Sequence, residues 1–495
     1  MLMRFLLLAS LLILLANACT SSQETEIDTV NEPSPTGTQD GVSQRIAPPT
    51  PSESVVESNP RVPSSPITTE DITESELAQK DSADSSPPDS TEPKQESADT
   101  PNSPSPKEFL ALRRYNEFPK SAQEAFSGIL MAEFLPIKEK AGISIAVYQN
   151  GSLWSRTLGQ SHKSVLMEVA TPMGVNSSSK TFLGALVMTQ IEDGLYGLND
   201  QISDLLKEHQ GYQSLPSEML PDITVSELLT MTSGAGHIDN LAPKRFQIMG
   251  GLDWAPIDIF SLVGSPTGNH GLLNYNQSTN SFLLGMIAEH LSGSGLHTLY
   301  QETFFDPLSI QAVLLPGSPV PEKIAHPHGN RSNYGGSRGF GDLTTIEQFD
   351  NVGFVEGQAR LSWAGGGLVS TAENMSLWAY ELFSVRGSAV SETVRDQILK
   401  RFSNNQSMVE GSASHYGYHV TRDMLELADG TSVDTYGHPG VGNGTASHLI
   451  YVPSLDVAIS ILSNSELSSL KGSCSTQNEP NLSPFDCIAR TYLTV

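Results

Sequence analysis

The sequence has few cysteines, few tryptophans and few basic residues. Its 495 residues include three cysteines and four tryptophans, and 28 basic residues stand against 55 acidic ones, for a formal net charge of −27. A strongly acidic chain is repelled by phosphate backbones and anionic lipids, so nucleic acid is excluded as an expected partner. No cysteines and histidines occur at the spacing of a zinc site, and the pattern predicts no metal.

No Phe, Trp or Tyr occurs between residues 20 and 107. This segment is rich in Ser, Thr, Pro, Asp and Glu, with 17 acidic and 5 basic residues. Such a composition cannot bury enough apolar surface to offset the chain entropy that folding would cost. We therefore expect a disordered tether, which would reach roughly 50 Å on average as a coil.

An apolar run, FLLLASLLILLA, follows Arg4 at the beginning of the chain. It is too short to span a bilayer comfortably. A basic residue, a short apolar core and small residues before a cut site are typical of a secretory signal. The segment LANAC resembles a bacterial lipobox, which implies that Cys19 is lipidated after cleavage.

These segments predict three parts of the chain. They are a signal peptide over residues 1–18, a lipid-anchored tether over residues 19–107 and one large folded domain over residues 108–495. We expect this domain in the bacterial cell envelope, in contact with a membrane only through the lipid. Plain secretion and an uncleaved anchor are the alternatives.

The two remaining cysteines, Cys474 and Cys487, lie 13 residues apart. In an exported chain such a pair favours a disulfide over a metal site. The bond would close a polar loop of about a dozen residues before the last helix, and a loop of that length is easily closed. Two independent cysteines are the alternative.

The folded part opens with a helix and two strands. Apolar residues recur at helical spacing in 121–135, and residues 142–159 alternate on either side of Asn150-Gly151, which is a hairpin signal. A long, mostly helical middle follows from residue 177 to about residue 400. The end returns to strands in HYGYHVTRDM, SVDTYGHPG, SHLIYVPS and DVAISILSN, before a helix over 483–493.

Strands at both ends of the domain and helices between them indicate one sheet built from both termini. The predicted fold class is α/β (α+β): an antiparallel sheet flanked by helices, with a mostly helical subdomain inserted beside it. The pattern is not a βαβ repeat.

The stretch VNSSSKTFLGALV places Lys180 three residues after Ser177, where an apolar helix starts. Residues three apart share a helix face. A serine hydroxyl is a weak nucleophile until a neighbour takes its proton, and a lysine can do so. The helix N-terminus also offers free N–H groups to an oxyanion. The plain alternative is a serine-rich turn with the lysine in solvent.

Other segments favour the chemical interpretation. GVNSSSKTFLGAL, ITVSELLTMTSGAG, AGGGLVSTAENMSLWA, and YGHPG followed by YVPSLDVAISILSN resemble, in this order, the landmarks of the serine β-lactamase-related family. That family includes class C β-lactamases, D-alanyl-D-alanine carboxypeptidases, D-aminopeptidases and esterases. The resemblance spans roughly residues 125–465. It implies a serine hydrolase in which Ser177 is the nucleophile, Lys180 is its base, and no cofactor is needed.

The resemblance also implies a tyrosine in the segment LNYNQSTNSFLLG. Tyr275 lies ten residues before the glycine of LLG, whereas the family spacing is nine, so Asn276 is the alternative occupant. We favour Tyr275, because a phenol can shuttle a proton beside Lys180 and an amide cannot. The third polar residue of this motif is then Gln277 or Ser278.

The family's Lys-Thr-Gly or His-x-Gly triplet corresponds to His438, Pro439 and Gly440. By resemblance, Gly440 lets a substrate backbone approach, and the N–H of Val441 is a second oxyanion donor beside that of Ser177. A proline in place of threonine and a histidine in place of a permanent cation both weaken recognition of a carboxylate.

We therefore predict an exported, monomeric serine hydrolase that forms an acyl-enzyme with a small-molecule or peptide ester or amide. A true class C-type β-lactamase or a D-alanyl-D-alanine carboxypeptidase is the alternative within the family. A tethered binding protein that keeps the fold without the chemistry is the alternative from another class.

Overall fold

The computed structural model describes residues 109–494 with gaps. The gaps are at residues 111, 113–114, 136–141, 163, 216–221, 240–243, 251–253, 268–269, 276–277, 328–351, 408–414, 428, 443 and 466–483. The predicted signal peptide and tether lie outside the described residues. So do four individual predictions, namely Cys19, Asn276, Gln277 and Cys474.

Thirteen strands occur in the part of the chain that the structure describes. They are β1 (Asn116–Glu117), β2 (Gly142–Gln149), β3 (Ser152–His162), β4 (Val165–Leu166), β5 (Met173–Gly174), β6 (Ala312–Leu314), β7 (Leu368–Ser370), β8 (Phe402–Ser407), β9 (His415–Gly417), β10 (Thr421–Glu426), β11 (Ser432–Gly442), β12 (Thr445–Val452) and β13 (Val457–Ser463).

Helices fill most of the middle of the domain. They are α1 (Lys120–Phe134), α2 (Lys180–Glu192), α3 (Ile202–Leu205), α4 (Gln210–Gln213), α5 (Val225–Leu229), α6 (Lys244–Gly250), α7 (Thr279–Ser292), α8 (Leu296–Tyr300), α9 (Asp306–Leu308), α10 (Val352–Gly366), α11 (Ala372–Phe383), α12 (Glu392–Lys400) and α13 (Pro484–Tyr492). Turns of 3₁₀ helix cover Asn176–Ser179 and Pro256–Leu262, and a π-helical turn covers Gln301–Phe305.

The large sheet joins the two ends of the domain. Its strand order is β1-β3-β2-β13-β12-β11-β10-β9-β8, with β4 paired to β3. All neighbours are antiparallel except β1 and β3. The N-terminal β2 pairs directly with the C-terminal β13, in a register that sets Ile145 opposite Ile461. The predicted fold class is confirmed.

The β2–β3 hairpin forms where the sequence predicts it. Asn150 and Gly151 have φ values of 47° and 83°, the left-handed pair that a two-residue turn between twisted strands requires. Strand β2 also buries both of its faces. Ala146 and Tyr148 of β2 pack with the helical middle, whereas Ile145 and Val147 pack beneath α1 and α13.

A second, three-stranded sheet in the order β5-β7-β6 was not predicted. Its strands have only two or three residues, too few for an alternating pattern to be visible in the sequence. In this small sheet, β5 leads directly into the segment that contains Ser177.

The last helix, α13, packs through Phe485, Ile488 and Tyr492 on the face of the sheet that also carries α1. Cys487 in this helix is fully buried and disulfide-bonded. Its pairing with Cys474 stays a prediction, because that residue lies outside the described part. Among the described helices, none is long and apolar enough to cross a bilayer.

Candidate active site

The turn that carries Ser177 is held in place by three strands. The N–H of Val175 donates to the carbonyl of Leu368 in β7, 2.9 Å away. Asn176, with φ 47°, donates from its side chain to the Oγ1 of Thr445 in β12, at 2.8 Å. The third contact is with β11, where the carbonyl of His438 accepts from the Oγ of Ser178 at 2.7 Å. The residues before α2 form a 3₁₀ turn that is bonded to all three strands.

Ser177 and Lys180 meet at the start of α2. The Nζ of Lys180 donates to the Oγ of Ser177 at 3.1 Å and to the carbonyl of Gly365 at 2.8 Å. Only 1 % of Lys180 is exposed, whereas Ser177 is half-buried and reachable. The lysine is buried because α2 is apolar on all sides and lies inside the domain.

The two neighbouring serines bond to the scaffold. The Oγ of Ser178 donates to the carbonyl of His438 at 2.7 Å and lies 2.8 Å from the Oγ of Ser447. The Oγ of Ser179 accepts from the N–H of Leu368 at 3.2 Å. Both side chains are fully buried. Of the three serines in a row, Ser177 is the one that is not fully buried.

Gly440 lets β11 come close to the turn that carries Ser177. A Cβ on this residue would lie 2.3 Å from the Oγ of Ser447, 2.5 Å from the carbonyl oxygen of Val175 and 2.9 Å from the backbone nitrogen of Ser177. Any larger residue would push the strand away. The contact places Val441, the next residue of β11, beside the backbone of Ser177.

His438 lies on β11 at the inner wall of the site, with 1 % of its surface exposed. Its Nδ1 is 2.6 Å from the carbonyl of Pro439 and must donate there, so its Nε2 accepts from the hydroxyl of Tyr416 at 3.3 Å. Burial, together with the charge of Lys180, holds the pKa of His438 well below 6.5. This histidine is therefore neutral.

Tyr275 lies beside both the lysine and the histidine. The Nζ of Lys180 is 5.5 Å from the centre of its ring. The ring meets Tyr416 edge-on at 5.4 Å and lies 6.1 Å from the ring of His438. Ser278 immediately precedes α7. The structure thus brings Tyr275 to the site, while the alternative Asn276 is outside the described residues.

A further histidine lies close behind the lysine. His419, fully buried, donates from Nδ1 to the carbonyl of Leu229 at 3.0 Å and accepts at Nε2 from the hydroxyl of Ser281 at 3.0 Å. Burial lowers its pKa to about 3, with a smaller effect of Lys180 in the same direction, although the bond to Leu229 opposes the shift.

The sequence patterns did not single out Gly365, Tyr416 or His419. A backbone carbonyl acceptor such as that of Gly365 has no sequence signature, although the glycine run AGGG marks a tight segment. Tyr416 and His419 lie in a strand region without a chemical motif. Within the described ranges, no group of three or more His, Cys, Asp or Glu side chains could hold a metal ion.

Comparison with known proteins places the chain in a family. A model of the family described as Beta-lactamase matches residues 131–472. A penicillin-binding protein 4 of Amycolatopsis lactamdurans is 24% identical over 356 residues, which cover 69% of this chain and 84% of the relative.

Solved structures share the fold. A D-amino acid amidase from Ochrobactrum anthropi SV3 superimposes with a TM-score of 0.58 at 19% identity, over 75% of this chain and 99% of the amidase. A D-stereospecific amidohydrolase from Streptomyces sp. gives a TM-score of 0.51 at 18% identity, over 69% and 94% of the two chains. From the extent of the family match, we conclude that the chain belongs to the beta-lactamase family and is a serine hydrolase.

Proposed function

We propose that the protein is an exported, lipid-anchored hydrolase that cleaves esters or amides lacking a free carboxylate, through an acyl-enzyme on Ser177. The observation that carries this proposal is the buried Lys180 Nζ at 3.1 Å from the Oγ of Ser177. A fully enclosed amine at hydrogen-bond distance from a reachable serine hydroxyl has the geometry of a general base.

The reaction follows from this geometry in two steps. In its neutral form, Lys180 takes the hydroxyl proton as Ser177 Oγ forms a bond to the substrate carbonyl carbon. The oxyanion that develops is bound by the N–H groups of Ser177 and Val441. The proton then passes, with Tyr275 beside it, to the leaving amine or alcohol, whose bond to carbon breaks. A water molecule, activated in the same way, hydrolyses the ester and frees Ser177.

The neutral state of His438 supports the substrate class. A substrate carboxylate gains most from a permanent cation or a hydroxyl donor at the strand triplet. Here the histidine is uncharged, its ring nitrogens bond to Pro439 and Tyr416, and Pro439 carries no hydroxyl. The amidases of similar fold, one of them complexed with L-phenylalanine amide, support an amide without a carboxylate.

A second candidate is a D-alanyl-D-alanine carboxypeptidase or a β-lactamase. The relationship to a penicillin-binding protein favours it. Both of these reactions use the same nucleophile but require recognition of a carboxylate. Export itself is proposed from the segment LANAC before the tether, and the membrane contact is assigned to the lipid on Cys19.

A fluorophosphonate probe tests the nucleophile. We expect the probe to label the native protein and Ser178→Ala, and not to label Ser177→Ala. Ser178→Ala is the matched control, because it removes a neighbouring hydroxyl that bonds to His438 in the scaffold. Labelling of Ser177→Ala at the native rate would refute the assignment, and a native protein that is never labelled would favour the tethered binding protein.

A panel of substrates tests the class. We expect kcat/KM for a short-chain nitrophenyl ester and for D-phenylalanine amide to exceed that for a cephalosporin and for a peptide ending in D-Ala-D-Ala. The opposite order would establish the carboxylate-recognising alternative, while leaving Ser177 as the nucleophile.

A further inference from the structure

The acceptor that holds Lys180 belongs to a distorted segment. The carbonyl of Gly365, 2.8 Å from the Nζ of Lys180, lies in the last turn of α10. Two residues earlier the helix is interrupted at Trp363, whose φ of 27° and ψ of −113° fall outside the regions allowed to a residue with a Cβ. Such backbone strain persists only where the surrounding structure enforces it.

Packing of the indole ring enforces the interruption. Trp363 is 3 % exposed, and its ring lies 5.4 Å from that of Phe282 and 6.0 Å from that of Trp254. On α7 the ring rests against Gly285. A Cβ there would be 2.8 Å from Cζ3 of Trp363 and 2.9 Å from the Cβ of Ala364. Gly285 thus provides the space that the ring and the next residue occupy.

The interruption redirects the backbone. The carbonyl of Trp363 accepts from the N–H of Gly367 at 2.6 Å, and the chain then enters β7. The carbonyls in the last turn of a helix have no intrahelical donor. The carbonyl of Gly365 is one of these, and it is the group that meets the lysine. Its direction therefore depends on the turn that Trp363 starts.

We propose that Trp363 is a positioning residue: its indole, docked on Gly285, holds the strained turn that aims the carbonyl of Gly365 at Lys180. The inference rests on the proposed function, since it assumes that Lys180 acts as the base for Ser177. It concerns the rate of the chemical step, because Trp363 acts through the backbone on the base.

Gly285→Ala tests the proposal from the opposite helix. The added methyl group would displace the ring of Trp363 and the Cβ of Ala364. We expect kcat for a nitrophenyl acetate and the rate of fluorophosphonate labelling to fall about 10- to 100-fold, with KM changed less than about 3-fold. Gly128→Ala is the matched control. It lies in a helix, its Cβ would meet nothing within 4 Å, and both rates should stay at the native value.

Trp363→Phe is the second variant, and it is also combined with Gly285→Ala. Phenylalanine keeps the aromatic packing but lacks the Cζ3 and Cη2 edge that meets Gly285, so we expect a loss in kcat of about 3- to 10-fold. In the double variant with Gly285→Ala, the loss should be smaller than the product of the two single losses, because the contact of the methyl group with the indole edge is gone and only that with the Cβ of Ala364, at 2.9 Å, remains.

Three outcomes would overturn the proposal: native kcat in both single variants, a loss confined to KM, or single effects that simply multiply. Circular dichroism and thermal unfolding establish whether each variant is folded. If Gly285→Ala does not fold, Trp363→Phe alone decides through its effect on kcat. A native protein that resists labelling would instead disprove the proposed function, so the two failures are distinguishable.

Discussion

His419 should make the folded protein sensitive to mild acid. In the folded state its pKa is about 3, because burial of the ring disfavours the charged form and outweighs the bond to Leu229, which acts in the opposite direction. In the unfolded chain the pKa returns to about 6.5. Above pH 6.5 neither state binds the proton, so His419 does not lower the free energy of unfolding there. Below pH 6.5 the unfolded chain binds a proton at this histidine, whereas the folded protein binds it only below about pH 3, so the free energy of unfolding falls between these values.

The size of the effect follows from proton linkage. Between the two pKa values, each pH unit lowers the free energy of unfolding by at most about 1.4 kcal/mol for this one group. From pH 7 to pH 5 the loss is about 2 kcal/mol, since titration of the unfolded chain begins near pH 6.5. His438, with its pKa also lowered, adds to the loss in the same direction.

Replacement of His419 by asparagine isolates its share. Asparagine tolerates the φ of 58° at this position, and its amide can donate to the carbonyl of Leu229 as Nδ1 does. The variant will be less stable at pH 7, because it fills less space and loses the bond to Ser281. The difference in the free energy of unfolding between native and variant should shrink by about 2 kcal/mol on going from pH 7 to pH 5.

Urea unfolding at pH 7, 6 and 5 measures these differences. His297→Asn, at an exposed position on α8, is the control for replacing a histidine by asparagine. If the native protein and His419→Asn lose stability in parallel between pH 7 and pH 5, His419 does not carry the effect and the reasoning fails.

Two further changes should lower stability without touching the chemistry. Thr224→Ala removes the capping hydroxyl at the start of α5, whose Oγ1 accepts from the N–H of Glu227 at 3.3 Å and donates to the Oε2 of Glu227 at 2.9 Å. Urea unfolding should show a loss of about 1 kcal/mol, and an unchanged midpoint would contradict it. Reduction should cost on the order of 3 kcal/mol if Cys474 and Cys487 are bonded to each other. Two free thiols titrating in the unreduced protein would exclude that bond.

Local patterns predicted the elements that depend on local physics. The turn at Asn150-Gly151 and the helix ending the chain were predicted because left-handed turn residues and an early Pro484 act on their own neighbourhood. The spacing of Ser177 and Lys180 likewise requires only one helical turn. These interactions join residues within a few positions of each other, so a single sequence can reveal them.

The rest of the site depends on contacts between distant parts of the chain. The ring of His419 is held by hydrogen bonds to Leu229, 190 residues earlier, and to Ser281. The interruption at Trp363 exists because Gly285 on another helix leaves room for the indole. Neither contact leaves a periodic signal, and the side chains involved are of ordinary types. Only the folded structure shows that His419 lies near Lys180 and that Trp363 stands two residues before the carbonyl to which Lys180 donates.

The joining of β2 to β13 has a consequence for the order of events during biosynthesis. Gly142 bonds to Ser463, which is made 321 residues later, and Ser178 bonds to His438 across 260 residues. In a chain that is synthesised from its N-terminus, the segment with Ser177 is therefore complete before the strand beside it has been made. Contacts of this range are slow to form. A chain interrupted before residue 440 would contain every atom of Ser177 and Lys180 and still lack the part of β11 that lies beside them.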